Sequence, residues 1–371
     1  MQNFTNRALS KLIQMAIDCG ASDIHINSEN YPALRVHGEL NYDKSSEIFS
    51  KETLEKFISE ILTPAQLERF NKTGDLDFAF TYDTQRFRGS LYREMRGISL
   101  TFRLVPSVIR SLDELGLPDT LKTMAYKHRG LFLATGPTGH GKSSTLAAIV
   151  NEINQKIKSH IVTIEDPIEY VHVPALSVIH QREIGTDTEN FASGIRHVLR
   201  QDPDVILIGE MRDLETISAA ITAAETGHLV FGTLHTQDAS QSIERIIDVF
   251  PPHQQNQIRL QLSYVLLAIC SQQLIPAQGG GRVCATEILI SNPAIRASIR
   301  EGKISGIRNS MLTGMSLGMH TMEQDLARLL REGKILPETA KDFAYDRSEI
   351  ERLMGMGGMG GGMQGGFSLR N

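Results

Sequence analysis

Residues 131–145 read LFLATGPTGHGKSST. An apolar, strand-like run (131–135) leads into a glycine-rich loop, and helical character begins at Lys142. The loop Gly136-Pro137-Thr138-Gly139-His140-Gly141-Lys142-Ser143 fits the pattern G-x-x-x-x-G-K-[ST] of a phosphate-binding P-loop. Glycines let backbone N–H groups turn inward around phosphate oxygens, and the positive end of the following helix points at the same anion. In this reading Lys142 reaches the outer phosphates and the Ser143 hydroxyl ligates Mg²⁺, with Ser144 next to it on the helix. The expected cofactors are therefore ATP and Mg²⁺.

Three more apolar runs lie downstream: HIVTIED (160–166), DVILIGE (204–210) and HLVFGTLH (228–235). With helical stretches between them they predict a mostly parallel, buried sheet, so the fold class is α/β. Ligands of such sheets sit beyond the carboxyl ends of the strands. Those ends carry the reactive residues: the P-loop, then Glu165 with Asp166, then Glu210, then His235. Cleaving a phosphoanhydride needs a cradle, a divalent metal, a positioned water and positive charge on the transition state. Glu165 is favoured as general base and Glu210 as the carboxylate on the magnesium side, acting through water; the reverse assignment stays open. His235 is placed to sense or polarise the terminal phosphate. His228 is seven residues earlier, and that odd spacing puts the two imidazoles on opposite faces of a strand. His228 also follows Thr226-Gly227 at a helix end, where a histidine serves equally to cap carbonyls.

The 371-residue chain is long enough for two domains, and 41% hydrophobic residues can fill real cores. A net charge of −5 without basic tracts argues against a nucleic-acid translocase, so no nucleic-acid partner is expected. Three scattered cysteines argue against structural zinc or a disulfide framework and suit a reducing, cytoplasmic setting. The longest apolar runs are too short to span a bilayer, and no signal peptide is evident. Residues 1–104 predict a mixed α/β domain: a helix ending at Gly20, two short strands, helices opening at Ser50 and at Thr63-Pro64, then alternating strands. Those last strands hold Arg86, Arg88, Arg93, Arg96 and Arg103, read either as a solvated basic edge or as phosphate contacts. Residues 105–117 are read as a linker and 118–345 as the nucleotide domain. Within the latter, the chain from Pro251 is read as mainly helical, through HQQNQIRLQLSYVLLAICSQQLI, before a strand RVCATEILI. Residues 346–371 form a Gly/Met-rich tail expected to be disordered.

TGPTGHGKSSTLAA, TIEDPIEYVH, RQDPDVILIGEMRD and AAETGHLVFGTLHT together resemble the secretion-ATPase superfamily, and within it the type IV pilus retraction ATPases, the PilT family. The resemblance identifies these segments as the Walker A motif, the Asp box, a Walker B motif with Glu, and the His box. It implies a PAS-like N-terminal domain, carried by ASDIHI and RVHGEL, and a RecA-like C-terminal ATPase domain. It also maps nucleotide-facing arginines onto Arg88, Arg96 and Arg103. As expectations it brings a cytoplasmic homohexamer at the inner face of the cytoplasmic membrane and an inner-membrane pilus platform protein as partner. A paralogous retraction ATPase is a further partner it allows. Its activity would be ATP hydrolysis coupled to pilus disassembly and twitching motility. An assembly or type II secretion ATPase of the same superfamily is the alternative; the missing tetracysteine zinc site favours retraction. Two departures stand out: His140 and Ser144 replace the usual Ser and Thr, and the retraction motif AIRNLIRE appears as AIRASIRE at 294–301.

Overall fold

Alternation of apolar and polar residues governs the first part of the chain, and unbroken apolar runs govern the second. The computed structural model describes residues 7–36, 38–83, 85–106 and 108–357. It divides into two units. One extends to Ile109 and takes in Pro167–Val171; the other comprises Arg110–Asp166 and resumes at His172.

The first unit contains α1 (Arg7–Asp18), β1 (Asp23–Asn27), β2 (Ala33–Val36), β3 (Glu39–Tyr42), α2 (Lys51–Ile61), α3 (Pro64–Thr73), β4 (Asp75–Tyr82), β5 (Gln85–Glu94) and β6 (Gly97–Leu104). Its six strands form an antiparallel sheet in the order β3-β2-β1-β6-β5-β4. Period-2 alternation gives it one apolar face. Ile24, Ile26, Phe80, Phe87, Leu91 and Phe102 bury against Leu9, Leu12, Leu54 and Phe57 of the helices. Ser50 caps α2 by accepting from the Thr53 N–H, and Thr63 with Gln66 makes a full capping box on α3. The expected linker is divided between the units. The Val105 N–H donates to the Arg86 carbonyl, whereas Leu112 and Leu117 are buried in the core of the second unit.

The second unit continues with α4 (Thr120–Ala125), β7 (Gly130–Thr135), α5 (Lys142–Lys156), β8 (His160–Glu165), β9 (Val178–Glu183), α6 (Phe191–Val198), β10 (Val205–Ile208), α7 (Leu214–Glu225), β11 (Leu229–Leu234), α8 (Ala239–Asp248), α9 (Pro252–Val265), β12 (Leu266–Pro276) and β13 (Arg282–Ile290). α10 (Pro293–Glu301), α11 (Ile307–Thr313), α12 (Met322–Arg331), α13 (Pro337–Phe343) and α14 (Arg347–Gly357) complete it. The sheet order is β13-β12-β7-β11-β10-β8-β9, parallel except for β13. β7 and β11 are buried at every residue, because helices cover both faces. Leu131 and Leu133 face one core, Phe132 and Ala134 the other.

Other parts of the chain also differ from their sequence reading. LLAICSQQLIP, read as the continuation of a helix, is strand β12, lying parallel to β7 with Ile269 beside Leu133 and Cys270 beside Ala134. A short apolar run is compatible with helix or strand, and here pairing with a distant strand decides. β9 was not foreseen: its residues, VIHQRE, carry no apolar period, as befits an edge strand. Residues 347–357 are helical, with Ile350 and Leu353 packed in the C-terminal cluster, so the tail does not start at 346. Residues 358–371, the rest of the Gly/Met stretch, lie outside the described residues. Among the described residues, no helix is long and apolar enough to cross a membrane.

Candidate functional site

The carboxyl edge of the second sheet gathers most of the predicted residues. β7 runs into the P-loop, where Gly136, Gly139 and Gly141 have φ of +133°, +79° and +86°. These angles suit glycine and direct successive amides inward. α6, α7 and α8 are capped by the side chains of Asn190, Asp213 and Asp238. α5 begins after Gly141 and, among the described residues, has no side-chain cap. The positive end of the helix there favours an anion. Lys142 is buried and folds back, donating from Nζ to the carbonyls of Gly136 at 2.7 Å and Pro137 at 2.9 Å. Ser143 follows on the first turn of α5.

β11, next to β7, delivers His235 just past its end, and β10 delivers Glu210. His235 Nε2 lies 2.9 Å from Glu210 Oε1, and His235 Nδ1 lies 3.3 Å from the Thr138 hydroxyl. A neutral imidazole satisfies both by donating from Nε2 to the carboxylate and accepting at Nδ1 from Thr138. Burial holds the His235 pKa below the ordinary histidine value, and Lys142 and Arg212 push the same way against the pull of Glu210. The ring is therefore uncharged at neutral pH. Glu210 also receives a hydrogen bond from Arg212 Nε, so P-loop, imidazole, carboxylate and guanidinium are linked in series.

Glu165 ends β8, one strand further out. Thr163 Oγ1 donates to its Oε1 at 2.6 Å and Gln181 Nε2 at 3.3 Å. Gly209 brings the ends of β8 and β10 together: a Cβ there would lie 3.2 Å from the Glu165 Cα. Thr163 and Gln181 were missed by sequence reading; Gln181 sits on the strand that carried no signal.

His228 is not part of this group. It precedes β11 at the opposite edge of the sheet, where Nδ1 donates to the Ala223 carbonyl at 2.9 Å and Thr226 Oγ1 lies at 3.2 Å. It closes the carboxyl end of α7, the capping arrangement that its sequence context allowed.

The three arginines belong to the first unit. Arg88 Nη1 pairs with Glu169 Oε1 at 3.2 Å, and Arg103 Nε with Asp23 Oδ1 at 2.8 Å. Arg88 stands opposite Arg103, and Asp23 opposite both Arg103 and Arg35, so one row crosses four strands on the polar face. Arg96 is exposed in the turn between β5 and β6, at the other end of that hairpin. The structure thus groups Arg88 with Arg103 and leaves Arg96 apart.

Among the described residues, no cluster of three or more His, Cys, Asp or Glu is arranged to hold a metal. Mg²⁺ fits such a site all the same, because it is bound through substrate phosphates, water and one or two protein oxygens. Ser143, on the first turn of α5, and Glu210, just past β10, carry oxygens of that kind.

Residues 2–325 match the family described as type II/IV secretion system protein. A twitching motility protein of Neisseria gonorrhoeae is 46% identical over 321 residues, covering 86% of each chain. The type IV pilus retraction ATPase PilT of Pseudomonas aeruginosa is 43% identical over 337 residues, 91% of this chain and 98% of the relative. A crystal structure of the pilus retraction motor PilT with bound ADP matches with a TM-score of 0.87 at 43% identity, covering 92% of this chain and 98% of the other. With its P-loop, Glu165, Glu210 and His235 on one sheet edge and these relatives matched over nearly their whole length, the chain belongs to the type II/IV secretion system protein family, among the type IV pilus retraction ATPases.

Proposed function

We propose that this chain is an ATP-hydrolysing motor that drives type IV pilus retraction. The observation that carries the reading is the series from Thr138 through His235 to Glu210, which ties the phosphate cradle to a carboxylate at the end of a neighbouring strand. The α5 amides and Lys142 hold the phosphates; Lys142 exchanges two loop carbonyls for phosphate oxygens. Ser143, and Glu210 through water, would hold magnesium, which would supply positive charge where negative charge builds on the transferred phosphoryl group. Glu165, with one oxygen fixed by Thr163 and Gln181, takes the proton of the attacking water. Neutral His235 offers a hydrogen bond without adding charge and reports the state of the terminal phosphate to Glu210. Arg88, Arg96 and Arg103 are the candidates to face the nucleotide, from the same chain or a neighbouring copy. Arg88 and Arg103 would do so by exchanging Glu169 and Asp23 for phosphate. A homohexamer acting on an inner-membrane platform protein, at the cytoplasmic face and alongside a paralogous ATPase, is the assembly this reading implies.

Phosphate release from ATP by the purified chain tests the chemistry. Glu210→Gln and Glu165→Gln should each lower kcat by about 100-fold or more at an unchanged fold. Parent-like rates in both would remove the assignment. Deletion in a piliated host tests direction: surplus surface pili support retraction, whereas bald cells would make the chain an assembly motor.

A further inference from the structure

β12 outruns the strand beside it. The two pair as far as Ser271 opposite Thr135, where β7 ends, while β12 continues to Pro276. Beyond Ser271 the edge of β12 that faced β7 has no strand partner among the described residues, and an orphaned N–H there costs about 1–3 kcal/mol where water is excluded. The P-loop takes the place of the missing strand. Gln272 is buried, and its carbonyl oxygen would lie 2.3 Å from a Cβ at Gly136. Gln272 Nε2 donates to the His140 carbonyl at 2.8 Å, and the Leu274 N–H donates to His140 Nδ1 at 3.1 Å. His140 occupies a position that the P-loop pattern leaves free, yet it makes the loop's side-chain bond to the sheet.

We propose that His140 is a positioning residue: its Nδ1 lone pair pins the tip of the P-loop to the Leu274 amide and holds the cradle in its phosphate-binding shape before nucleotide arrives. This rests on reading residues 136–143 as the phosphate cradle. The bond requires neutral imidazole with its proton on Nε2, because imidazolium would set one N–H against another. The surroundings agree: burial, then Lys142 and Arg282, hold the His140 pKa below the ordinary value. A loop already in place does not lose that freedom on binding, so the anchor should act on affinity more than on turnover.

The test measures binding of a fluorescent ADP analogue to the full chain, ATP turnover, and hydrogen exchange at the Leu274 amide. Asn is the conservative variant, since its Oδ1 stands where Nδ1 does and cannot gain a proton near neutrality. His140→Ala should weaken binding by about 3- to 10-fold, the worth of one hydrogen bond, and raise KM more than it lowers kcat. It should also speed Leu274 exchange, and His140→Asn should restore all three. Parent-like affinity in His140→Ala, unchanged Leu274 protection, or an Asn variant as weak as Ala would each overturn the anchor. Lys142→Ala separates the two readings. If it loses binding while His140→Ala does not, only the anchor falls. If Lys142→Ala binds as the parent does, the cradle reading falls and the anchor with it.

Discussion

Asp23 on β1 and Glu287 on β13 are both carboxylates shut inside a sheet, 4% and 3% exposed. Their charges nevertheless go opposite ways. Burial pushes Asp23 up, but hydrogen bonds from Arg103 and Ser22 and the charge of Arg103 outweigh it and leave the pKa below the usual value. Burial also pushes Glu287 up, and there it wins: the pKa reaches about 7, against a hydrogen bond from the Ala239 N–H and with Asp238 and Glu323 adding repulsion. The cause lies in the two sheets. The antiparallel sheet has one open polar face, and Arg103 and Arg35 reach across it to Asp23. The parallel sheet is covered on both sides, so Glu287 meets the first amide of α8 at 2.9 Å instead of a directly bonded guanidinium. Burial alone does not set a charge; what the covering layer can donate does.

The comparison can be broken at several points. The largest effect should come from Gly136→Ala, which combines a φ of +133° with the Gln272 carbonyl at 2.3 Å. Backbone bounds that position, so nucleotide binding should fall by more than about 100-fold with a lowered Tm, read by titration and thermal melting. Glu287→Gln comes next. A folded pKa of about 7 above the ordinary 4.5 means the group favours the folded state at low pH and loses that contribution as pH rises between those values. Urea titrations should show the variant gaining on the parent by about 2–3 kcal/mol between pH 4.5 and 8. A difference that stays flat with pH would remove Glu287 as a titrating group.

Arg103→Ala tests the other sheet, with the opposite sign. Asp23 stabilises the fold above its unfolded pKa and ceases to do so as pH falls through its lower folded value. The variant should lose about 1–2 kcal/mol at pH 7, discounted because Arg103 is mostly exposed, and the deficit should shrink in acid. A deficit that persists in acid would assign Arg103 to packing instead. The smallest effect is expected from His228→Ala: about 1 kcal/mol of stability from a lost helix cap, seen in the melting curve, with ATP turnover near the parent rate. A large loss of turnover would return His228 to the chemistry.

The sequence exposes β7, β8, β10 and β11 because these inner strands are buried along almost their whole length and read as unbroken apolar runs, with reactive residues at their ends. Glu165, Glu210 and the P-loop could be placed on that ground alone. What stayed hidden depends on pairing between distant segments. LLAICSQQLIP reads as helix or strand until β7 is beside it. The sequence shows His140 only as an odd residue in a loop; its role follows from Leu274, which is 134 positions away. Arginine content marked the first domain, but the register that joins Arg88 to Arg103 and separates Arg96 comes from how β5 and β6 turn on one another.

The long loop between the P-loop and its support also bears on how the protein is made. Gly136 and Gln272 touch across 136 positions of chain. At a synthesis rate of about 5–20 residues per second, the glycine loop leaves the ribosome on the order of ten seconds before the strand that backs it. During that interval β7 is an edge with its apolar residues uncovered, and the nascent nucleotide site has no rear wall. A translation pause ahead of residue 266 would lengthen that exposure, so codon choice in this stretch should influence how much of the protein reaches its folded form.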